Sequence, residues 1–177
     1  MHEFESERLF FKRLTELDVT DRYVEWLNDS EINQYLEIRF EVHDKEKVMD
    51  FVKTQNNLNN VYLWGIFVKE SSKHIGNIKL GPINFHHQNA DISLFIGEKY
   101  FWSKGIATEA IRRVSRNGFE KLLLEKIQAG CYETNRASLN AFLKVGYEIE
   151  GLQRSCVVSN GKRMGVYKLG VLPCELK

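Results

Sequence analysis

Between Val61 and Gly97 the chain carries three short apolar runs, VYLWGIFV, KHIGNIKLGPI and ADISLFIG, separated only by KESSK and NFHHQN. Connections this short and polar hold no crossover helix, so successive runs are expected to pair as antiparallel neighbours. The period then changes. From Lys104 to about Lys121, Ile106, Ala110, Ile111, Val114 and Phe119 recur at helical intervals with no proline between them, so the third run leads through the loop GEKYFWSKG into a helix. Strands in the middle with helices on either side along the chain read as an α/β (α+β) layering on a mostly antiparallel sheet.

The flanks complete this pattern. Arg8–Leu14 is rich in strand formers, and Val19, Tyr23, Trp26 and Leu27 follow at helical spacing. A second helix is expected over HDKEKVMDFVKTQ, capped by Asp44 and turning Val48, Phe51 and Val52 to one side. EKIQAGCYE reads as a strand running into Asn135. The helix after it has Leu139, Phe142 and Leu143 on one face and stops at Gly146. Asn160 and Gly161 supply a tight turn joining strands at 147–158 and 163–172. The count is about seven strands and about four helices. No repeat or Pro/Gly/Ser linker interrupts residues 1–177, which read as a single domain.

With 25 Lys+Arg against 24 Asp+Glu there is no global field, so an anion must be held by local geometry, and a dedicated nucleic-acid binder is not expected. The opening MHEFESERLF is acidic and polar where a signal peptide is basic and then apolar, and no stretch approaches about 18 uninterrupted apolar residues. A cytoplasmic protein with no membrane partner is the expectation. Cys131, Cys156 and Cys174 are spaced far beyond any CxxC, so neither a disulfide framework nor a metal site is signalled.

The loop FWSKG ahead of the helix carries the first chemical signal. A helix start aims unpaired backbone N–H groups and the positive end of its dipole at one point, and Gly105 leaves that point open while Lys104 adds a mobile charge. Such a turn suits a phosphate or pyrophosphate. Neither GxxxxGK[ST] nor GxGxxG is present, so it is not a P-loop or a Rossmann turn.

One strand downstream lies the second signal, Asn135-Arg136-Ala137-Ser138 followed by Phe142-Leu143-Lys144-Val145-Gly146-Tyr147. With Ser103–Ala110 and the closing hairpin, these motifs resemble the GNAT superfamily of acetyl-coenzyme A-dependent N-acetyltransferases, in particular its RimJ/RimL-like branch, from about Glu7 to Leu172. The resemblance implies the GNAT fold, with a V splayed open between the fourth and fifth of the strands read above. It implies acetyl-CoA as co-substrate, an amine acceptor, no metal, and a monomer or homodimer.

Position by position, the resemblance makes Lys104, Gly105, Ile106, Ala107 and Thr108 the pyrophosphate cradle. Leu94, Phe95 and Ile96 would offer main chain to the pantetheine arm, and Asn135 would hydrogen-bond that arm, with Lys144 grouped among the cofactor contacts. Asn135 reads equally as the N-cap of its helix. Many family members place a tyrosine acid where Phe142 stands here; Ser138 is the candidate donor to the departing thiolate, its alternative being a helix-surface serine. Asp91 is the candidate base, or a carboxylate that binds the acceptor's ammonium, or a strand-edge residue facing solvent. His86 and His87 read as solvated, and Glu109 as structural.

The acceptor side is expected on the first two helices. Trp26 either stacks on a sugar or anchors the core, with Asn28 beside it as a substrate residue, and the segment resembles relatives linked to amino-sugar biosynthesis. Gly165 occupies the place where many relatives carry an aspartate. A protein amino terminus and an amino sugar both remain as acceptors. The competing reading is a coenzyme A-binding module without turnover, motivated by Phe142.

Overall fold

The structure is a computed structural model that describes residues 3–159 and 161–177. In chain order it contains β1 (Phe4–Glu5), β2 (Leu9–Arg13), α1 (Asp21–Asn28), α2 (Ser30–Asn33), α3 (Lys45–Asn57), β3 (Tyr62–Val68), β4 (His74–Asn84) and β5 (Asn89–Ile96). Then come α4 (Ile106–Leu122), β6 (Lys126–Tyr132), α5 (Arg136–Val145), β7 (Glu148–Ser159) and β8 (Lys162–Val171). The strands hydrogen-bond in the order β1-β2-β3-β4-β5-β6-β8-β7, mostly antiparallel, with β5 and β6 parallel. This is the mixed α/β arrangement expected, with β1 and the single-turn α2 added. Two residues of β1 are too few to show an alternation, and what pairs them is Phe4 stacking on Phe11 and meeting Trp64 edge-on.

The chain divides into two compact units. The first runs to Lys79 and takes in Leu94–Trp102. Here Thr20 caps α1 by accepting from the Tyr23 N–H, and the spacing of Tyr23, Trp26 and Leu27 turns one face of that helix into the core. Asp44 caps α3 as expected, and Val48 and Val52 point inward against the same cluster. Phe51, expected on that face, is exposed; Val48 and Val52, one helical turn apart, suffice to hold the helix down.

The second unit comprises Leu80–Ser93 and Ser103–Lys177. α4 buries Ile106, Ala110, Ile111, Val114, Ser115 and Gly118. At Gly118 a side chain would press on Ile127 and Leu80, so the glycine permits the close approach of helix to strand. α5 buries Leu139, Phe142 and Val145 and exposes Leu143, one residue away from the face expected. Gly146 ends the helix at φ 110°, in the left-handed conformation the sequence suggests. β7 and β8 pair from Glu148↔Gly170 to Ser159↔Lys162, with irregularities between Ile149 and Gly151 and between Gln153 and Val157. Gly161 of the expected turn has φ 72°, while Asn160 lies outside the described residues.

Candidate active site

In the second unit, the turn ahead of α4 places Ser103 at φ 58° and Gly105 at φ 78°. Gly105 is therefore the N-cap, and α4 begins at Ile106 instead of Lys104, because a left-handed residue is not part of a right-handed helix. As a glycine, this N-cap has no side chain with which to cap the helix end. The Glu109 N–H donates to the Gly105 carbonyl at 3.0 Å, which opens the helical ladder and leaves the first-turn N–H groups of Ile106, Ala107 and Thr108 outside it. Ile106 sinks its side chain into the core, so what it offers outward is main chain, while Lys104 and Gly105 are exposed.

β5 pairs with β6 only over Asn89–Asp91 against Lys126–Gln128, although β6 stays paired with β8 as far as Tyr132. The parallel pairing thus ends partway along both strands. Ala90 and Ile92 are buried and alternate with Asp91 and Ser93, so Asp91 presents its carboxylate to solvent.

At the start of α5, the Asn135 side-chain oxygen accepts the Ser138 N–H at 3.1 Å. The capping reading of Asn135 is thus realised, and it leaves the side-chain NH₂ without a protein partner among the described residues. Ser138 is half-buried near Cys131, whose thiol donates to the Asn135 carbonyl at 3.4 Å. Burial pushes the Cys131 thiol up, partly offset by the Ser138 hydroxyl and the Leu139 N–H. Phe142 is only 2% exposed and packs edge-on against Tyr147, whose hydroxyl pairs with Ser115 at 2.8 Å. Lys144 is exposed in the last turn of α5. At Gly165, where the resemblance leads one to expect an aspartate, a Cβ would lie 2.8 Å from Leu152, 2.9 Å from a Glu133 carboxylate oxygen and 3.0 Å from the Gln153 carbonyl, so a side chain there would have to displace its neighbours.

In the first unit, Leu94, Phe95 and Ile96 are half-buried at the end of β5, and the Ile96 carbonyl accepts from the Trp102 indole at 2.8 Å. Trp26, expected as a substrate residue, is 1% exposed, wedged against Gly97 and packed on His74 and Phe95. Its ring has no free face for a sugar, and the core-anchor alternative is the one its packing fits. Asn28 is exposed, but its amide donates to the Val24 and His43 carbonyls and accepts the His43 N–H, pinning the loop after α2. His86 and His87 lie in an exposed turn organised by Asn84.

Sequence reasoning passes over one residue, Glu98. Glu98, 6% exposed, accepts from Arg22 at 2.6 Å, Lys73 at 2.7 Å and the Trp26 indole at 3.3 Å. Burial by itself would raise its pKa, but the hydrogen bonds from Arg22 and Lys73 hold the carboxyl below its usual range. No motif marks it: in GEKYFWSKG it is one charged residue in a polar loop. Its neighbour Lys99 pairs with Asp29 at 2.9 Å and Glu31 at 2.6 Å.

A model of the acetyltransferase (GNAT) domain matches residues 8–148. The chain belongs to the GNAT acetyltransferase family. It is an acyltransferase by that membership. The chain is 28% identical over 176 residues to the uncharacterized N-acetyltransferase p20 of Bacillus licheniformis, covering 96% of this chain and 98% of the relative. Over 101 residues it is 37% identical to the probable N-acetyltransferase YjcK of Bacillus subtilis, covering 56% and 55% of the two chains. In fold it is similar to a spermidine N-acetyltransferase from Vibrio cholerae solved with CoA and spermine, with a TM-score of 0.86 at 20% identity over 96% of this chain and 98% of that one. A Bacillus anthracis acetyltransferase superposes with a TM-score of 0.81 at 21% identity over 95% and 96%. Among the described residues no helix is long and apolar enough to cross a membrane.

Proposed function

We propose that this chain moves an acetyl group from acetyl-CoA directly to a primary amine, as one catalytic domain of the RimJ/RimL-like branch. The observation that carries the reading is the Gly105 turn: a helix start whose N-cap has no side chain, its first-turn N–H groups outside the ladder, in a chain of this family. The N–H groups of Ile106, Ala107 and Thr108 hold the pyrophosphate, with Lys104 as an adjustable charge and Gly105 giving close access. Lys144 belongs to the same set of cofactor contacts. The Asn135 NH₂ donates to the pantetheine arm while its oxygen caps α5. In the first unit, the main chain of Leu94–Ile96 serves that arm, and Asn28 shapes the acceptor side through the loop it pins.

The chemistry is a single displacement. The amine nitrogen attacks the thioester carbon, the C–N bond forms and the C–S bond breaks, and the electron pair leaves on sulfur. Ser138 donates a hydrogen bond to that developing thiolate, and Asp91 takes the amine's proton directly or through water. The products are an acetylamide and free coenzyme A. Phe142 has no role in proton transfer, since it carries no titratable group and lies in the core.

The test is to mix the protein with acetyl-CoA and a panel of amines, following thiol release. The panel holds peptides with free amino termini, amino sugars free and nucleotide-linked, and spermidine, included because a structural neighbour acts on it. Amine-dependent release that falls in a Ser138→Ala variant is the expected result. Calorimetric binding of acetyl-CoA with no acetylation across the panel would make the chain a coenzyme A-binding module.

A further inference from the structure

We propose that Glu98 is a positioning residue for acetyl-CoA: it locks the segment Gly97–Trp102 onto the tip of β5 and so holds the Leu94–Ile96 main chain ready for the pantetheine arm. This rests on the reading of Leu94–Ile96 given above.

The geometry is a hook closed at both ends. The Gly97 and Glu98 N–H groups both donate to the Ile75 carbonyl on β4, at 2.8 and 3.1 Å. Gly97 is fitted against Trp26, and a Cβ there would overlap the indole. One Glu98 carboxylate oxygen takes the Arg22 and Trp26 donors and the other takes Lys73. The Glu98 carbonyl accepts the Phe101 N–H at 2.9 Å, closing the turn that brings Trp102 back, and the Trp102 indole then donates to the Ile96 carbonyl. The side chain of Glu98 thus grips α1 and Lys73 just ahead of β4, while its main chain bonds to Ile75 of β4 and closes the turn that caps the strand tip.

A carboxylate buried to this extent adds little net stability, because its desolvation offsets the attraction of its partners, and an apolar residue would fill the space as well. Arg22 and Lys73 keep about half of their side chains in water, which dilutes the pairing further. What three directed donors supply and an apolar residue does not is a unique placement of the loop. A ligand added to a strand edge through main-chain hydrogen bonds needs that placement, since misalignment loses several bonds together.

The test compares wild type with Glu98→Gln, which keeps the shape and removes the charge, and with Arg22→Ala, which removes one half-exposed donor. Calorimetry with coenzyme A is expected to show a dissociation constant about tenfold higher in E98Q and about threefold higher in R22A, with kcat at saturating acetyl-CoA within about twofold of wild type. Hydrogen exchange on the ligand-free protein is expected to speed up at Gly97, Glu98 and Phe101 and not at β3. A folded E98Q with unchanged coenzyme A affinity, or one that loses kcat alone, overturns the proposal. Wild type that binds no coenzyme A overturns the reading beneath it and the proposal with it.

Discussion

Trp26 and Gly97 are fitted to each other so closely that neither position tolerates added volume. A methyl group at Gly97 would occupy space already held by the indole ring, and the ring is confined by His74 and Phe95. Gly97→Ala is therefore expected to destabilise the first unit by about 2–3 kcal/mol through overpacking, read as a lower urea midpoint with an unchanged m-value. All three tryptophans, Trp26, Trp64 and Trp102, belong to that unit, so their fluorescence reports its unfolding. In sequence, Gly97 and Trp26 each look ordinary. Their complementarity arises only when the strand end is laid against α1.

At the scale of elements, Asn135 makes two jobs separable, because its oxygen accepts the Ser138 N–H and its NH₂ is the group proposed to serve the pantetheine arm. Asn135→Asp keeps an oxygen for the Ser138 N–H and loses the NH₂, whereas Asn135→Ala loses both. The alanine variant should lose about 1 kcal/mol of stability, and the aspartate variant should keep it. Both should weaken acetyl-CoA binding, which calorimetry on the pair of proteins checks. The segment after β5 responds to pH instead. The Glu98 carboxyl titrates lower in the folded chain than its ordinary 4.5, so its contribution is present above that pH and is lost as the pH falls through the lowered folded value. Burial lowers the His74 pKa below its ordinary 6.5, so the unfolded chain takes up that proton first and stability begins to fall below pH 6.5. Tryptophan-monitored urea midpoints should therefore decline in two stages on acidification, and Glu98→Gln should shrink the lower stage, leaving the part carried by Asp18 and Asp29, whose carboxyls are also lowered, while keeping the upper one. The helix ends are partly legible: Asp44 and Asn135 cap where capping residues are expected and Gly146 stops α5, while the Thr20 cap of α1 is found only in the structure. The start of α4 was misjudged by two residues, because Lys104 is a good helix former and only the left-handed Gly105 excludes it.

For the molecule as a whole, a ligand that binds only the folded chain must stabilise it. Acetyl-CoA at a hundred times its dissociation constant adds about 2.7 kcal/mol. For a chain of this length that corresponds to a rise in Tm of about 5–10 °C. Differential scanning fluorimetry with acetyl-CoA, and with adenosine as a control lacking the diphosphate, would show the rise with the first alone if the α4 start is the anchor. The sequence by itself determined the main strands and helices, a glycine-bearing turn ahead of α4, and the paired motifs that mark the family, because these are carried by residues within a few positions of one another. Tertiary structure alone decided that the parallel pairing of β5 and β6 stops at Asp91, that Trp26 is core, that Leu143 and Phe51 face water, and that Glu98 meets Arg22 across 76 residues of chain. Burial and pairing are settled by which distant surfaces meet, and a charge or an indole has the same local signature whether the fold covers it or leaves it in solvent.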